Sequence, residues 1–342
     1  FHSAMGMIRS LAVLALGAGY ATAQDVTAGP SVTDVGEYFM RMPLSVVYDK
    51  ASDTLSVDMP KANLEELMGM LNPPAQCQGP APFYEREMEI PSAAHHIPGF
   101  PFDHVSVDLN ICGHPPFGDG PGTGQGYGVP HFDFHFYTIS DESRSKAKCT
   151  TFPVPPCPED ETSSAIFQFP PRSLLPKGYT VDIVAGVPTQ GMHWVDETKE
   201  PYQPGQMWGQ TESAGFSIVI GTLDGQISFL EPMVSFEHMA TRDASEQEVP
   251  TPMRITPIAA NDLATWPAYA GFVKTDAAYS TYFRDFAKNL QDHSPSGKTS
   301  NEYIDAFIPG CGKTISLPKG KTQKMFGKAD YQPGAGTSTC DI

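Results

Sequence analysis

The feature of the sequence that most constrains the fold is the alternating segment His131–Tyr137, which reads His-Phe-Asp-Phe-His-Phe-Tyr. In a β-strand, successive side chains point to opposite faces. We therefore predict a strand whose three phenylalanines pack into a core. The opposite face carries His131, Asp133 and His135. Because imidazole nitrogens and carboxylate oxygens are ligands for zinc and iron, this face predicts a metal site.

Strand geometry limits how these three side chains can act together. Residues two apart on a strand are separated by roughly 6.6 Å, and residues four apart by roughly 13 Å. Asp133 can therefore share an ion with His131 or with His135, whereas all three together require a bent or bulged strand. Two alternatives stay open. In the first, one histidine does not bind the ion but contacts a residue that does. In the second, both histidines bind the ion, and Asp133 orients one of them by contacting the ring nitrogen that faces away from the ion.

Further ligands must come from other segments of the chain. His193 is the leading candidate, because it lies in a glycine-containing turn after the strand predicted at 179–184. Glu231 ends an apolar run, His114 lies in the loop before the site strand, and His104 is a weaker candidate on a neighbouring strand. The predicted site comprises the metal ligands His114, His131, His135 and His193, and the catalytic carboxylates Asp133 and Glu231.

The N-terminal residues have the pattern of a secretory signal peptide that follows a few extra residues. A basic segment with Arg9 precedes an apolar run over 11–18, and a small-x-small triplet ends at Ala23. The apolar run is shorter than the roughly 20 residues that cross a bilayer. We expect cleavage near Ala23 and a mature chain that is secreted or lumenal, without a membrane anchor.

The cysteines support this expectation of export. The chain has six cysteines, and this even number predicts three disulfides formed in an oxidising compartment. The sequence leaves their pairing open. Cys149 and Cys157 can close a short loop, and Cys311 and Cys340 can tether the C-terminal segment. The other two cysteines are Cys77 and Cys112.

Composition and pattern predict a mostly β fold. The 33 prolines and 31 glycines favour strands and long loops over a helical bundle. We predict an antiparallel sandwich or barrel with a few short helices and a disulfide-tethered C-terminal segment. The predicted parts are a signal peptide over 1–23, a β-rich metal-site domain over 24–250 and a helical and loop extension over 251–342. The extension is predicted to contain an amphipathic helix over 279–290.

The net charge constrains the partners of the protein. A formal charge of −17 argues against nucleic acid and anionic membrane as partners. The predicted partner is a small-molecule substrate.

Several blocks of sequence resemble an exported bacterial protein family with members in Thermus. They lie at 107–110, 113–116, 127–137, 188–194 and 229–233, and the resemblance spans roughly 42–240. The most specific block is Pro-His-Phe-Asp-Phe-His-Phe-Tyr. The resemblance implies a β-rich fold and is compatible with a homo-oligomer, but it implies no particular activity. This chain differs by a Gly/Pro insertion between Pro116 and Tyr127 and by its additional cysteines and tail.

Three functions follow from these residue types. The first is a zinc-dependent hydratase or hydrolase, in which three protein ligands leave one position for water, and the substrate is carbon dioxide, an ester or an amide. The second is a non-haem iron(II) oxygenase, because His131, Asp133 and His193 have the order of a facial triad. The third is a non-enzymatic binding or assembly protein with a structural ion.

Overall fold

The computed structural model describes residues 29–77, 84–97, 100–114, 127–145, 147, 166, 169–170, 174–196, 215–250 and 266–286, and the backbone of 315–316 and 337–338. The predicted signal peptide and the cysteines Cys149, Cys157, Cys311 and Cys340 lie outside these residues. Within them, Cys77 and Cys112 form a disulfide. No helix in the described ranges is long and apolar enough to cross a membrane.

The secondary structure is dominated by strands, which are numbered in chain order. They are β1 (Ser45–Asp49), β2 (Thr54–Pro60), β3 (Tyr84–Glu89), β4 (His104–Asn110), β5 (His131–Tyr137), β6 (Tyr179–Val187), β7 (Gly191–Asp196), β8 (Phe216–Leu223), β9 (Gln226–Ser235), β10 (Ala244–Glu248), β11 (Tyr269–Lys274), β12 (Ala278–Arg284), β13 (Ile315–Ser316) and β14 (Thr337–Ser338). The helices are α1 (Val32–Arg41), α2 (Lys61–Gly69), α3 (Pro73–Gln76), α4 (Asp141–Arg144) and α5 (Phe236–Thr241).

Two antiparallel sheets contain twelve of these strands. The larger sheet has the order β3-β4-β5-β9-β8-β7-β6, and the smaller has the order β1-β2-β12-β11-β10. Among the described strands, β3 and β6 are unpaired edges of the larger sheet, so the sheet does not close into a barrel. The predicted mostly β, antiparallel fold with short helices is confirmed, and it is compatible with a sandwich.

An aromatic core lies between the two sheets. The Phe136 ring of the larger sheet packs against the Phe283 ring of the smaller sheet, with centroids 4.8 Å apart. Phe132 contacts Phe236 of α5 and Phe39 of α1. The three phenylalanines of β5 are fully buried in this core, as the alternation in the sequence predicted.

The larger sheet is strongly curved. Strands β5 and β7 are three positions apart in the strand order, which corresponds to roughly 14 Å in a flat sheet. The rings of His135 and His193, which these strands carry, are nevertheless only 6.0 Å apart. The face opposite the phenylalanines is therefore concave, and its side chains converge. Gly221 leaves room for the ring of Phe229 on this face, because a Cβ at this position would overlap the ring.

The helix predicted at 279–290 is wrong over its described part. Residues 278–284 form β12, which pairs with β2 on one side and with β11 on the other. Tyr279, Thr281 and Phe283 alternate with less buried residues. The aromatic residues of this segment also fit a helical period, but backbone pairing with two neighbouring strands decides the conformation. The boundary predicted at residue 250 falls between β10 and β11, which are neighbours in one sheet.

Candidate metal centre

The candidate site lies on the concave face of the larger sheet. In the antiparallel register, Asp108 of β4 is directly opposite Asp133 of β5, and Ser106 is opposite His135. Directly paired residues share a face of the sheet, so the polar side chains of β4 and β5 line the same surface. His131, Asp133 and His135 are 0%, 4% and 1% exposed. Burial at this level costs free energy unless their polar atoms are compensated.

The six residues predicted for the site form two separate groups of three. His135, His193 and Glu231 make up one group, which we call the His135 group. His114, His131 and Asp133 make up the other, the His131 group. In each group, one ligand atom from every residue lies within 4.8 Å of the others, so each group could hold a metal ion. Strand β5 therefore contributes residues to both groups, as expected for three polar residues that do not share one ion without a bend.

Distances within the His135 group are longer than hydrogen bonds and close to the separation of two ligands of one ion. His135 Nε2 lies 3.7 Å from Glu231 Oε1, and His193 Nε2 lies 3.6 Å from Glu231 Oε2. Both separations exceed the usual limit of a hydrogen bond. Two atoms that each lie 2.0–2.2 Å from a tetrahedral zinc ion are roughly 3.3–3.6 Å apart. Within the described part of the chain, neither ring nitrogen of His135 makes a hydrogen bond.

A carboxylate that the sequence interpretation missed stands behind His135. Asp108 Oδ2 lies 3.3 Å from His135 Nδ1, on the side of the ring away from Glu231. Gln190 Nε2 donates a hydrogen bond of 2.8 Å to the same oxygen. Such an arrangement, in which a carboxylate faces the far nitrogen of a ligating histidine, fixes the ring and its tautomer in many metal sites. The sequence had suggested this role for Asp133 instead, and the alternation of apolar and polar residues over 104–111 is the signal that could have identified Asp108.

The local backbone around the His135 group differs from the prediction in two ways. Glu231 lies inside β9 rather than at the end of a strand, and His193 lies inside β7 rather than in the preceding turn. The pairing of β5 with β9 is interrupted between Asp133 and Phe136, next to Pro232. Proline has no N–H to donate to a sheet, so the interruption is expected there. The ladder is thus open beside His135 and Glu231.

The His131 group has shorter separations and greater exposure. His131 Nε2 is 3.1 Å from Asp133 Oδ1, and His114 Nε2 is 3.3 Å from Asp133 Oδ2. Asn110 Nδ2 donates a hydrogen bond of 2.6 Å to Asp133 Oδ2. The side chain of His114 is 31% exposed, whereas those of His135 and Glu231 are each 1% exposed. Asp133 and Glu231 were predicted as catalytic carboxylates. In the structure, each of them lies beside two histidines and is itself a candidate metal ligand.

Buried acids determine the electrostatics of the concave face. Burial raises the pKa of Glu231 well above its usual value, and the charges of Asp133 and Asp108 raise it further. Burial, followed by the charges of Glu85 and Asp133, likewise raises the pKa of Asp108. Burial lowers the pKa of His135 well below its usual value, so this ring is a neutral, ligand-competent imidazole. A divalent cation would relieve the repulsion among these carboxyl groups.

Asp133 has the opposite behaviour from Glu231. Burial acts to raise its pKa, but the neighbouring His131 and His114 outweigh burial and hold the pKa of this carboxyl below its usual value. Asp133 is therefore a carboxylate across the neutral pH range. The two acids differ because His131 and His114 lower the pKa of Asp133, whereas burial and the charges of Asp133 and Asp108 raise the pKa of Glu231.

Arg144 is the only buried arginine or lysine in the part of the chain that the structure describes. Its guanidinium donates to Glu85 and to Glu87 at 2.6 Å each, and it stacks 3.9 Å above the ring of Tyr137. His104 Nε2 lies 3.0 Å from the same guanidinium. His104 therefore belongs to the Arg144 network rather than to either metal group. Arg144 is another residue of this face that the sequence interpretation did not single out.

No protein-family model, no curated protein and no solved structure matches this chain. The arguments about its function therefore rest on the geometry and chemistry of the two groups.

Proposed function

We propose that this chain is an exported zinc enzyme that adds water to a small electrophile. The reaction is hydration of carbon dioxide or hydrolysis of an ester or amide, and the ion is held by His135, His193 and Glu231. The observation that carries the proposal is that the Nε2 atoms of His135 and His193 lie 3.7 and 3.6 Å from the two oxygens of Glu231. Within the described residues, the ring nitrogens of the buried His135 make no hydrogen bond.

The number of protein ligands supports catalysis rather than a structural role. Structural zinc sites are closed by four protein ligands, commonly cysteines, whereas catalytic sites have three protein ligands and a water molecule. The His135 group offers two histidines and one glutamate, a known catalytic ligand set. Zinc bound there would lower the pKa of its water to about 7 and so supply hydroxide at neutral pH. The deep burial of the group favours a small substrate.

Export is supported by two independent features of the chain. Residues 1–23 have the pattern of a signal peptide, and Cys77 forms a disulfide with Cys112. Disulfides persist in oxidising compartments and are rare in the cytosol.

A non-haem iron(II) oxygenase is the second candidate, because two histidines and one carboxylate also form the facial triad of those enzymes. A keto-acid cosubstrate in such an enzyme needs a nearby cation. Arg144, the buried cation of this face, is already paired with Glu85 and Glu87. This pairing favours the zinc hypothesis.

Metal analysis of the purified full-length protein is the first test. We expect zinc rather than iron, and its removal should lower the free energy of unfolding. At a free zinc concentration 100-fold above the dissociation constant, the expected stabilisation is about 2.7 kcal/mol. His193→Ala and Glu231→Gln should abolish the zinc bound by the His135 group. His96→Ala, which changes an exposed histidine, is the matched control and should behave like the wild type.

The same proteins serve to test activity. Zinc-loaded wild type and His96→Ala should hydrate carbon dioxide or hydrolyse an activated ester, and both variants of the His135 group should be inactive. Zinc binding without either activity would contradict the enzymatic hypothesis and favour a binding protein with a structural ion. Stoichiometric iron would favour the oxygenase, and absence of any metal binding would exclude both enzymes.

A further inference from the structure

The His131 group lies on the same strand as the proposed zinc site but is not used by it. It contains two histidines and one carboxylate, brought together from β5 and from the segment that follows β4. The rings of His114 and His131 are 4.7 Å apart and nearly perpendicular. Their Nε2 atoms approach different oxygens of Asp133, at 3.3 and 3.1 Å. The three side chains therefore converge from two directions on a single carboxylate.

The backbone around His131 determines which of its nitrogens faces the group. His131 Nδ1 lies 2.6 Å from the carbonyl oxygen of Val129. A carbonyl can only accept a hydrogen bond, so Nδ1 carries the hydrogen. In a neutral imidazole, Nε2 is then a lone-pair acceptor, and it faces Asp133 Oδ1, which is also an acceptor. Two acceptors at 3.1 Å repel each other unless a cation lies between them. That cation is either a second proton on the ring or a metal ion.

Asp133 is prepared for a ligand by its neighbours. Asn110 Nδ2 donates to Oδ2 at 2.6 Å and fixes the orientation of the carboxyl group. Asn110 thus orients a candidate ligand of this group, as Asp108 orients His135 in the other group. Each group therefore has two histidines, one carboxyl ligand and one polar side chain that orients a ligand, although the chain connectivity of the two is different.

The position of His114 is constrained by covalent structure and by backbone conformation. Cys112, two residues earlier, is cross-linked to Cys77. Gly113 has a φ of +69°, and a Cβ at this position would lie 2.0 Å from the carbonyl oxygen of Tyr127. Only glycine fits this close approach without strain. His114 is thus presented to β5 by a fixed turn, while 31% of its side chain stays exposed to solvent.

We propose that His114, His131 and Asp133 form a second divalent-cation site, separate from the His135 group and more readily exchanged with solvent. The site takes a borderline cation such as zinc or cobalt(II), which accepts both imidazole and carboxylate ligands. The proposal does not depend on the reaction proposed above. Exposure of His114 gives this site a more open path of entry than the more deeply buried His135 group has.

Equilibrium dialysis of the full-length protein against zinc and against cobalt(II) tests this proposal. We expect two ions per wild-type chain, one in His114→Ala, one in His193→Ala and none in the double variant. Asp133→Asn keeps the size of the side chain and should also bind one ion. His96→Ala should bind two. Thermal unfolding of each variant identifies any that fail to fold, and only folded variants are compared.

The kinetics of metal removal provide a second readout. A chelator should remove one ion from the wild type faster than the other, and the fast phase should be missing in His114→Ala and in Asp133→Asn. With cobalt(II), the absorption bands of the fast-exchanging ion should be lost in the same two variants.

The possible outcomes separate this proposal from the proposed function. One ion per wild-type chain, lost in His193→Ala but retained in His114→Ala, would overturn the second site and show that a proton joins His131 to Asp133. One ion lost in His114→Ala but retained in His193→Ala would support the second site and contradict the proposed catalytic site.

Discussion

The two faces of strand β5 are buried to nearly the same extent but are stabilised by different interactions. Phe132, Phe134 and Phe136 are all 0% exposed and pack against aromatic rings of the smaller sheet and the helices. On the other face, His131 and His135 are 0% and 1% exposed. Removal from water stabilises the first face and penalises the second. The comparison teaches that burial by itself stabilises the apolar face, whereas the polar face requires compensation by hydrogen bonds, ion pairs or a bound cation.

Phe134→Ala gives the largest expected effect. Truncation of a fully buried phenylalanine should lower the free energy of unfolding by about 3–5 kcal/mol. The loss should be the same with and without zinc, because the side chain points away from the concave face. Denaturant unfolding and metal analysis check this prediction. A variant that keeps its stability but loses zinc would show that the two faces are not independent.

Asp108→Asn gives an intermediate effect, confined to the polar face. Changes behind a ligating histidine typically cost 10–100-fold in metal affinity. We therefore expect a loss of about that size at the His135 group, measured by zinc titration against a competing chelator. Glu89→Gln, which also replaces a carboxyl group by an amide but at an exposed position of β3, is the matched control. Equal affinities of the two variants would exclude Asp108 as the group that orients His135.

The smallest expected effect concerns the metal-free protein, in which Glu231→Gln changes the pH dependence of the free energy of unfolding. The pKa of Glu231 is raised in the folded state, so the unfolded chain releases this proton first as the pH rises. Metal-free wild type should therefore lose stability above the ordinary pKa of glutamate, about 4.3, as the pH rises through the raised value. The lowered pKa of His135 has the opposite effect. Its contribution to the free energy of unfolding increases with pH until the pH reaches the ordinary pKa of histidine, about 6.5.

The difference between metal-free wild type and Glu231→Gln isolates the contribution of Glu231, because His135 is present in both proteins. At neutral pH, Glu231→Gln should be the more stable protein without metal and the less stable one with zinc. Unfolding curves recorded between pH 4 and pH 8 check the prediction. If the free energies of unfolding of the two proteins change with pH in parallel, burial of Glu231 does not destabilise the metal-free protein.

The sequence was most informative where a local pattern is enough. Alternation over 131–137 predicted both faces of β5, and the same rule applied to β4 places Asp108 and His104 on one face. All six predicted site residues lie on one concave surface. The helix predicted at 279–290 failed because its aromatic spacing fits two periods, and pairing with β2 and β11 selects the strand.

The grouping of the site residues was decided by tertiary structure alone. His193 reaches His135 because the sheet curves between β7 and β5, and Asp108 rather than Asp133 faces His135 Nδ1. Side-chain alternation is a property of each strand and can be determined from its own residues. Strand order and curvature depend on contacts between distant segments, so only the folded chain determines that one polar face holds two groups of candidate ligands.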